Sequence, residues 1–352
     1  MNSKDQYIIV GGGLSGLYLA VLLSEIGIGA TVLEGSSRLG GRILTTKGIK
    51  GTHLELGATW FSDMHSSLSE LIEELGLSKY PQFSAGISLF ETKSFEPPQR
   101  FNVPESQDPS YRIAGGTQRL IDKLAEKLCE DDIHLNAKIK SINVSGRYLE
   151  LKTTAGNVYK GTKAILCIPP ELISGIEFRP QLPLEVDHLL PQVQTWMAGA
   201  VKFVVEYDEP FWRKKGYSGM LFSHAGIITE MYDHTNLEET KYGFTGFLHG
   251  GSAAYSREQR KNYVLQHLSK LIGTSANDPT FYDDKVWTDE FVVCESQSTL
   301  RPHENNGHPL LQKAYLNENL FFCNTETATD FSGYMEGAIR SVKTLFERLK
   351  QS

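Results

Sequence analysis

Apolar positions along the chain follow two periods, and the switches between them set out the expected elements. A β-branched run, Tyr7-Ile8-Ile9-Val10, passes through Gly11-Gly12-Gly13 into Leu14, Leu17, Leu19, Ala20, Leu22 and Leu23 at helical density, ending at Gly27. Ala30-Thr31-Val32-Leu33 then reads as a second strand that stops at Glu34. Helical spacing returns at Leu68, Leu71, Ile72, Leu75 and Leu77, and again at Leu120, Ile121, Leu124 and Leu128, where Thr117 is the expected N-cap. Ile133-His134-Leu135 and residues 139–144, 148–153 and 158–159 predict the short strands of a β-meander. Residues 164–168 are apolar throughout and stop at Pro169-Pro170, which predicts a strand buried on both faces of a parallel sheet.

From Trp196 the strands lengthen and alternate, most clearly over 200–207, with a helix over 256–272 and another strand over 287–293. A last buried strand covers 319–323, and the helix that opens in 332–337 turns Ala338, Val342, Leu345, Phe346 and Leu349 inward. Residues 81–110 are rich in Pro, Ser, Gln and Glu and read as a loop or reduced insertion. The pattern is that of an α/β protein, a Rossmann-like domain interleaved with a mixed-sheet domain.

The glycines carry the first chemical signal. Gly11, Gly13 and Gly16 spell G-x-G-x-x-G between a strand and a helix, with an acid at the end of the next strand, which is the context of a dinucleotide site. There Gly11 makes the turn, Gly13 admits a pyrophosphate, Gly16 seats the helix on the strand and Glu34 accepts from a ribose. NAD and FAD fit this stretch equally. Gly40-Gly41-Arg42 follows soon after and suggests a turn that aims a guanidinium at phosphate or cofactor oxygens. Leu54 to Phe61 mixes small and aromatic residues, so the backbone there can approach something flat.

Composition narrows the class. With 352 residues, 40% hydrophobic and 22% charged, the chain is an ordinary globular one of two domains or one domain with a large insertion. A formal charge of -7 without a basic arm argues against nucleic acid as a partner. Cys129, Cys167, Cys294 and Cys323 are widely spaced and form no C-x-x-C pair, which suggests reduced thiols and a cytoplasmic location. The first strand begins at once, leaving no room for a signal peptide, and no apolar stretch reaches membrane-spanning length, so a soluble protein without a membrane partner is expected. The histidines show no H-x-x-x-H, and no metal site is expected.

Several separate blocks together resemble the flavin-dependent amine oxidases, and among them most of all the monoamine oxidases. They are Gly11 to Gly16 with Glu34, Arg38 and Gly40-Gly41-Arg42; Gly57-Ala58-Thr59-Trp60; Pro210 to Lys215; and Thr325 to Thr329 with Ser332 to Ala338. The resemblance implies FAD rather than a nicotinamide, and an FAD-binding domain (1–80, 111–195 and 297–352) interleaved with a substrate domain (81–110 and 196–296). Gly11, Gly13, Ser15, Gly16, Glu34, Arg38, Gly41 and Arg42 would serve the dinucleotide and phosphates, and Ile139 the adenine through its backbone. Gly57, Ala58, Thr59 and Trp60 would lie beside the ring system, and Thr325 or Glu326 on the ribityl-phosphate chain. The helix at Met335 would point its N-terminus at the flavin's pyrimidine edge, where a helix dipole favours negative charge.

Lys202 falls where the family keeps a lysine bridged by water to flavin N5; the plainer reading is an edge-strand lysine, which blunts aggregation. Tyr334 matches one of two rings that frame the substrate amine, and Gln297 falls at the other, so the aromatic cage is half lost. Ser296 stands where membrane-bound relatives attach flavin through cysteine. Non-covalent FAD is therefore expected, with Cys294 attachment as the alternative. Between Trp60 and Tyr111 the chain is shorter than its relatives, so the substrate domain has a reduced helical part, and a homodimer or protein partner is a candidate to cover it.

The expected reaction oxidises a small-molecule amine by hydride transfer to flavin N5, giving an imine and then an aldehyde, with O2 as acceptor and hydrogen peroxide as product. Two alternatives stay open: a flavin desaturase or tailoring oxidase acting on a bulky or carrier-bound substrate, and a non-catalytic FAD-binding partner protein.

Overall fold

In the computed structural model, which describes residues 6–104, 108–288 and 300–351, the N-terminal apolar run is the middle strand of a five-stranded parallel sheet. The order is Leu320–Phe322, Lys163–Leu166, Gln6–Val10, Gly29–Leu33, Ile133–His134. Alternate residues of the middle strand face opposite layers. Tyr7 and Ile9 pack with Leu17 and Leu23 of the helix Leu14–Glu25 and with Ile339 and Val342 of the helix Met335–Lys350. Ile8 and Val10 pack with Ile142, Leu149 and Leu151 of a four-stranded sheet. A strand buried on both sides needs apolar residues in both registers, which is why this run and residues 164–166 lack polar positions.

The second unit is a seven-stranded mixed sheet in the order Phe281–Val286, Val201–Tyr207, Tyr242–Leu248, Ile228–Asp233, Tyr217–Ser223, Ile87–Glu91, Gln99–Asn102. One face of Val201–Tyr207 sends Val201, Phe203 and Val205 into a core with Trp212, Phe244 and Val264. The other face carries Lys202, Val204 and Glu206. Val204 packs against Leu54 and Leu56, and the Glu206 carboxylate accepts from the backbone N–H groups of Lys50 and Thr52. The polar face of this strand is thus the seam between the two units, and it sets Lys202 against residues 57–59.

Three expectations change, and the strand expected over 287–293 falls mostly outside the described residues, the observed strand being Phe281–Val286. Residues 81–110 are not a plain loop: Ile87–Glu91 pairs parallel with Tyr217–Ser223 and antiparallel with Gln99–Asn102. The alternation Ile87, Ser88, Leu89 was too short to stand out beside Pro97-Pro98, and pairing with a distant strand supplies what local pattern did not. Ile133–His134 joins the edge of the parallel sheet rather than the meander. Thr117 makes no side-chain cap; its own backbone N–H is taken by the Glu55 carboxylate at 2.6 Å, and that of Gln118 by the Thr45 hydroxyl at 3.0 Å.

Candidate active site

The glycine turn is held by close approach. A Cβ on Gly16 would stand 1.9 Å from the Gly11 carbonyl oxygen, so only glycine lets the helix start this near the strand. Glu34 is buried, and its two carboxylate oxygens accept from Gly12 N at 2.7 Å and Ser36 N at 2.8 Å. Those bonds fix the acid at the mouth of a cleft of ≈ 340 Å³ lined by Gly11, Gly13, Ser15, Glu34, Arg38, Gly41 and Arg42. The Ser15 hydroxyl also reaches Ala338 O at 3.4 Å, tying the first helix to the last. Arg38 acts on the turn itself, donating to the carbonyls of Leu39, Gly41 and Ile43. Gly40 and Gly41 have positive φ, and these bonds stabilise the strained turn from within.

Arg42 makes a two-pronged ion pair with Glu326, at 2.7 and 3.1 Å. Glu326 is fully buried and lines neither cavity, so it positions the arginine. Next to it Asn324 caps its own turn through Thr327 and donates to Ile168 O, while the Thr325 hydroxyl donates to Tyr334 O at 2.8 Å. This turn places Gly333, Tyr334 and Met335, at the N-terminus of the helix Met335–Lys350, where the cleft meets a second chamber. Glu336, also fully buried, accepts from the backbone N–H groups of Ser67 and Leu68 and from Arg340 Nε. It caps the helix Ser66–Glu74 across the fold, a role no local pattern foretold.

The second chamber, ≈ 580 Å³, is lined by Gly57, Ala58, Thr59, Trp60, Lys202 and Tyr334, and shares Arg42, Ala58, Gly333, Tyr334 and Met335 with the cleft. Lys202 sits on an interior strand and is 2% exposed, which removes the edge-strand reading. Its Nζ donates to Gly57 O at 2.7 Å and Thr59 Oγ1 at 2.5 Å, and lies 4.8 Å from the Trp60 ring and 5.3 Å from that of Phe247. Burial lowers its pKa to about 7, against the opposing pull of Glu55 and Glu230. The amine therefore changes charge near neutral pH.

Three of the expected cofactor residues stand off the cavities. Gly16 is packing, Glu326 is a positioning residue, and Ile139 opens a strand of the four-stranded sheet, Ile139–Ser145, and is buried without lining the cleft. Segment 136–137 closes on Glu34 and Ser36 by backbone hydrogen bonds instead. Gln297, Ser296 and Cys294 lie outside the described residues.

The structure also adds residues that sequence reasoning missed: Trp196, Glu230, Phe247 and Trp287 line the chamber. Tyr334 is backed by His303 at 5.9 Å, which stacks on Trp196 at 4.5 Å. The chamber thus has aromatic walls from three further segments. Trp196 read only as a domain start, and period-2 alternation hid Phe247 and Glu230 among ordinary strand positions.

The sequence model of the family described as "Flavin containing amine oxidoreductase" matches residues 14–91 and 84–344. The chain belongs to this family. As a flavin amine oxidoreductase it is similar to a probable flavin-containing monoamine oxidase A of Dictyostelium discoideum, 25% identical over 97% of this chain and 96% of that one. It is similar too to human amine oxidase B, 23% identical over 97% of this chain and 85% of the relative.

Among solved structures, putrescine oxidase bound to putrescine superposes with a TM-score of 0.84 at 21% identity, each chain 99% covered. Cyclohexylamine oxidase from Brevibacterium oxydans superposes at 0.82 and 19% identity, over 99% of this chain and 100% of the other. The fold is that of an FAD-binding domain with a mixed-sheet substrate domain.

This is an FAD-dependent amine oxidase-like enzyme, and the residues present fit that cofactor. A cleft with a helix N-terminus and a fixed acid at one end opens into a chamber with a second helix N-terminus at the junction. No helix among the described residues is long and apolar enough to cross a membrane. No group of three or more His, Cys, Asp or Glu side chains among them is arranged to hold a metal ion.

Proposed function

We propose that this enzyme oxidises a small amine in the Lys202 chamber and passes the electrons to O2. The observation that carries the reading is Lys202, a buried lysine poised near neutrality in the wall of the chamber that adjoins the cleft. When bound, FAD would supply the two-electron oxidation that takes the amine to an imine, which water hydrolyses to an aldehyde, and would return the electrons to O2 as hydrogen peroxide. Trp60, Phe247 and Tyr334 would hold the substrate in an apolar, water-poor space. Gly57 O and Thr59 Oγ1 hold the Lys202 amine, which would carry a proton to or from a water in front of it. Catalysis on this reading is positioning and proton handling, with no protein nucleophile. Peroxide detection across an amine panel tests it; a flavin that no amine reduces under anaerobic conditions would sink it and favour a tailoring oxidase or a binding protein.

Glu230 narrows the substrate. Its carboxylate lines the chamber and is steadied by the Tyr232 hydroxyl at 2.5 Å, which suits a substrate with a second, distal ammonium. Putrescine oxidase, with the same fold, takes such a diamine. Glu230→Gln is expected to raise KM for a diamine about tenfold or more while leaving a monoamine of equal length nearly unchanged. Equal changes for both would remove the carboxylate from substrate recognition.

The cofactor is held without a covalent bond on this proposal. Cys167 lines the cleft, yet burial pushes its thiol well above the ordinary range, with Cys323 adding to the effect, so it is a poor nucleophile. Acid precipitation is expected to leave the yellow flavin in the supernatant; colour in the pellet would contradict this. Met197 and Tyr334 stay exposed at the chamber mouth, where a second copy of the chain or a protein partner would provide cover. Light scattering on the purified protein reads out the first of these.

A further inference from the structure

A separate cavity of ≈ 310 Å³ shares no lining residue with the chamber, with Glu55, Arg112 and His234 as its buried floor and Lys241 at its edge. Arg112 comes from the short strand Tyr111–Ile113 and is 3% exposed. Its Nη2 donates to Thr235 O at 2.5 Å and its guanidinium lies 4.7 Å from the Tyr80 ring centroid. Among the described residues it has no ion pair, and its Nε is buried without a partner. The same holds for Nδ1 of His234 on the same floor.

Of the nearby carboxylates, Glu238 also lines the cavity and accepts from Asn236 Nδ2, and two others are committed elsewhere. Asp233 is held by Arg213 and by Trp212 Nε1, and Glu55 by the Thr45 hydroxyl and Thr117 N. Asp233 and Glu55 attract the Arg112 guanidinium without bonding to it, and a guanidinium taken out of water normally has a directly bonded counter-charge. Here an open cavity stands where that counter-charge belongs, with the Lys241 ammonium at its edge and a neutral, donor-capable imidazole on its floor.

We propose that this cavity binds a small oxyanion, a carboxylate or a phosphate, through the Arg112 fork, the Lys241 ammonium and the His234 ring. A carboxylate or a phosphate, of a few heavy atoms, fits within that volume. The proposal does not rest on the amine-oxidation reading and is tested apart from it.

The test is isothermal titration of the purified flavoprotein, its cofactor cleft filled, with inorganic phosphate and separately with acetate, at constant ionic strength in chloride. One-site saturable binding of at least one probe is expected. Lys241→Ala, at the cavity's edge, should weaken it about tenfold, and Arg112→Lys, which keeps the charge and loses the fork, should weaken it further. Phosphate alone binding assigns the site to phosphates, and acetate alone to carboxylate metabolites. Binding of neither, or unchanged affinity in a folded Lys241→Ala protein, overturns the proposal and leaves the cavity to water.

Discussion

Lys202→Met is expected to lower kcat/KM by about a hundredfold or more and, at the same time, to raise the melting temperature. The two effects come from one fact: the native amine is buried, and burial disfavours its charged form. Methionine fills the space without that penalty, and the acceptors it abandons are not orphaned, since the Thr59 hydroxyl already donates to Gly57 O at 3.0 Å. A stabilisation of roughly 1–2 °C is the scale for a change near 1 kcal/mol in a chain of 352 residues.

The pH dependence has a definite sign. With a folded pKa of about 7, well below the ordinary 10.5, the unfolded chain binds more protons between those values, so the native protein gains stability as pH rises through that window. The advantage of the variant should therefore be fullest below pH about 7 and shrink toward pH about 10. In the rate profile, an inflection near 7 should be present in the native enzyme and missing in Lys202→Met. A variant that loses stability and keeps its activity would make Lys202 a structural residue.

Arg42→Met is expected to be the most damaging single change for both folding and flavin. Glu326 is fully buried and Arg42 is its salt-bridge partner, so the substitution strands a carboxylate in the interior, at a cost of about 3–5 kcal/mol. Against a typical total of about 5–15 kcal/mol this is a large fraction. The urea midpoint should fall sharply, and the protein should purify with little flavin. Arg42→Met combined with Glu326→Gln removes the stranded charge and should recover much of the stability while flavin stays weakly held, because the guanidinium at the cleft is still missing. If the double variant regained full flavin occupancy, Arg42 would be a strut alone. If the single variant were as stable as the native chain, the pair would not be what fastens the Thr325 turn to the Gly41 turn.

Much of the site was legible because its signals are local. Strand, glycine turn, helix and acid follow one another within residues 6–34, and backbone geometry ties each to the next. The period-2 face of residues 200–206 placed Lys202 with Val204 and Glu206, and the structure turns that face to the seam. Errors came where the partner was distant. Ile87–Glu91 is a strand because Tyr217–Ser223 lies beside it, and Thr117 lacks a cap of its own because Glu55, far back in the chain, supplies it.

The sequence by itself therefore determined the strand–glycine turn–helix unit, the flavin family and many of the residues that line the cleft and chamber, all of which depend on short spacings. Only the tertiary structure decided what surrounds them. Trp196, Phe247 and Glu230 meet Lys202 through strand register, Glu326 and Glu336 spend their charges on residues hundreds of positions away, and Arg112 ends in a cavity without a carboxylate. Contacts between distant segments leave no period in the chain, because packing compares surfaces while the sequence records only neighbours.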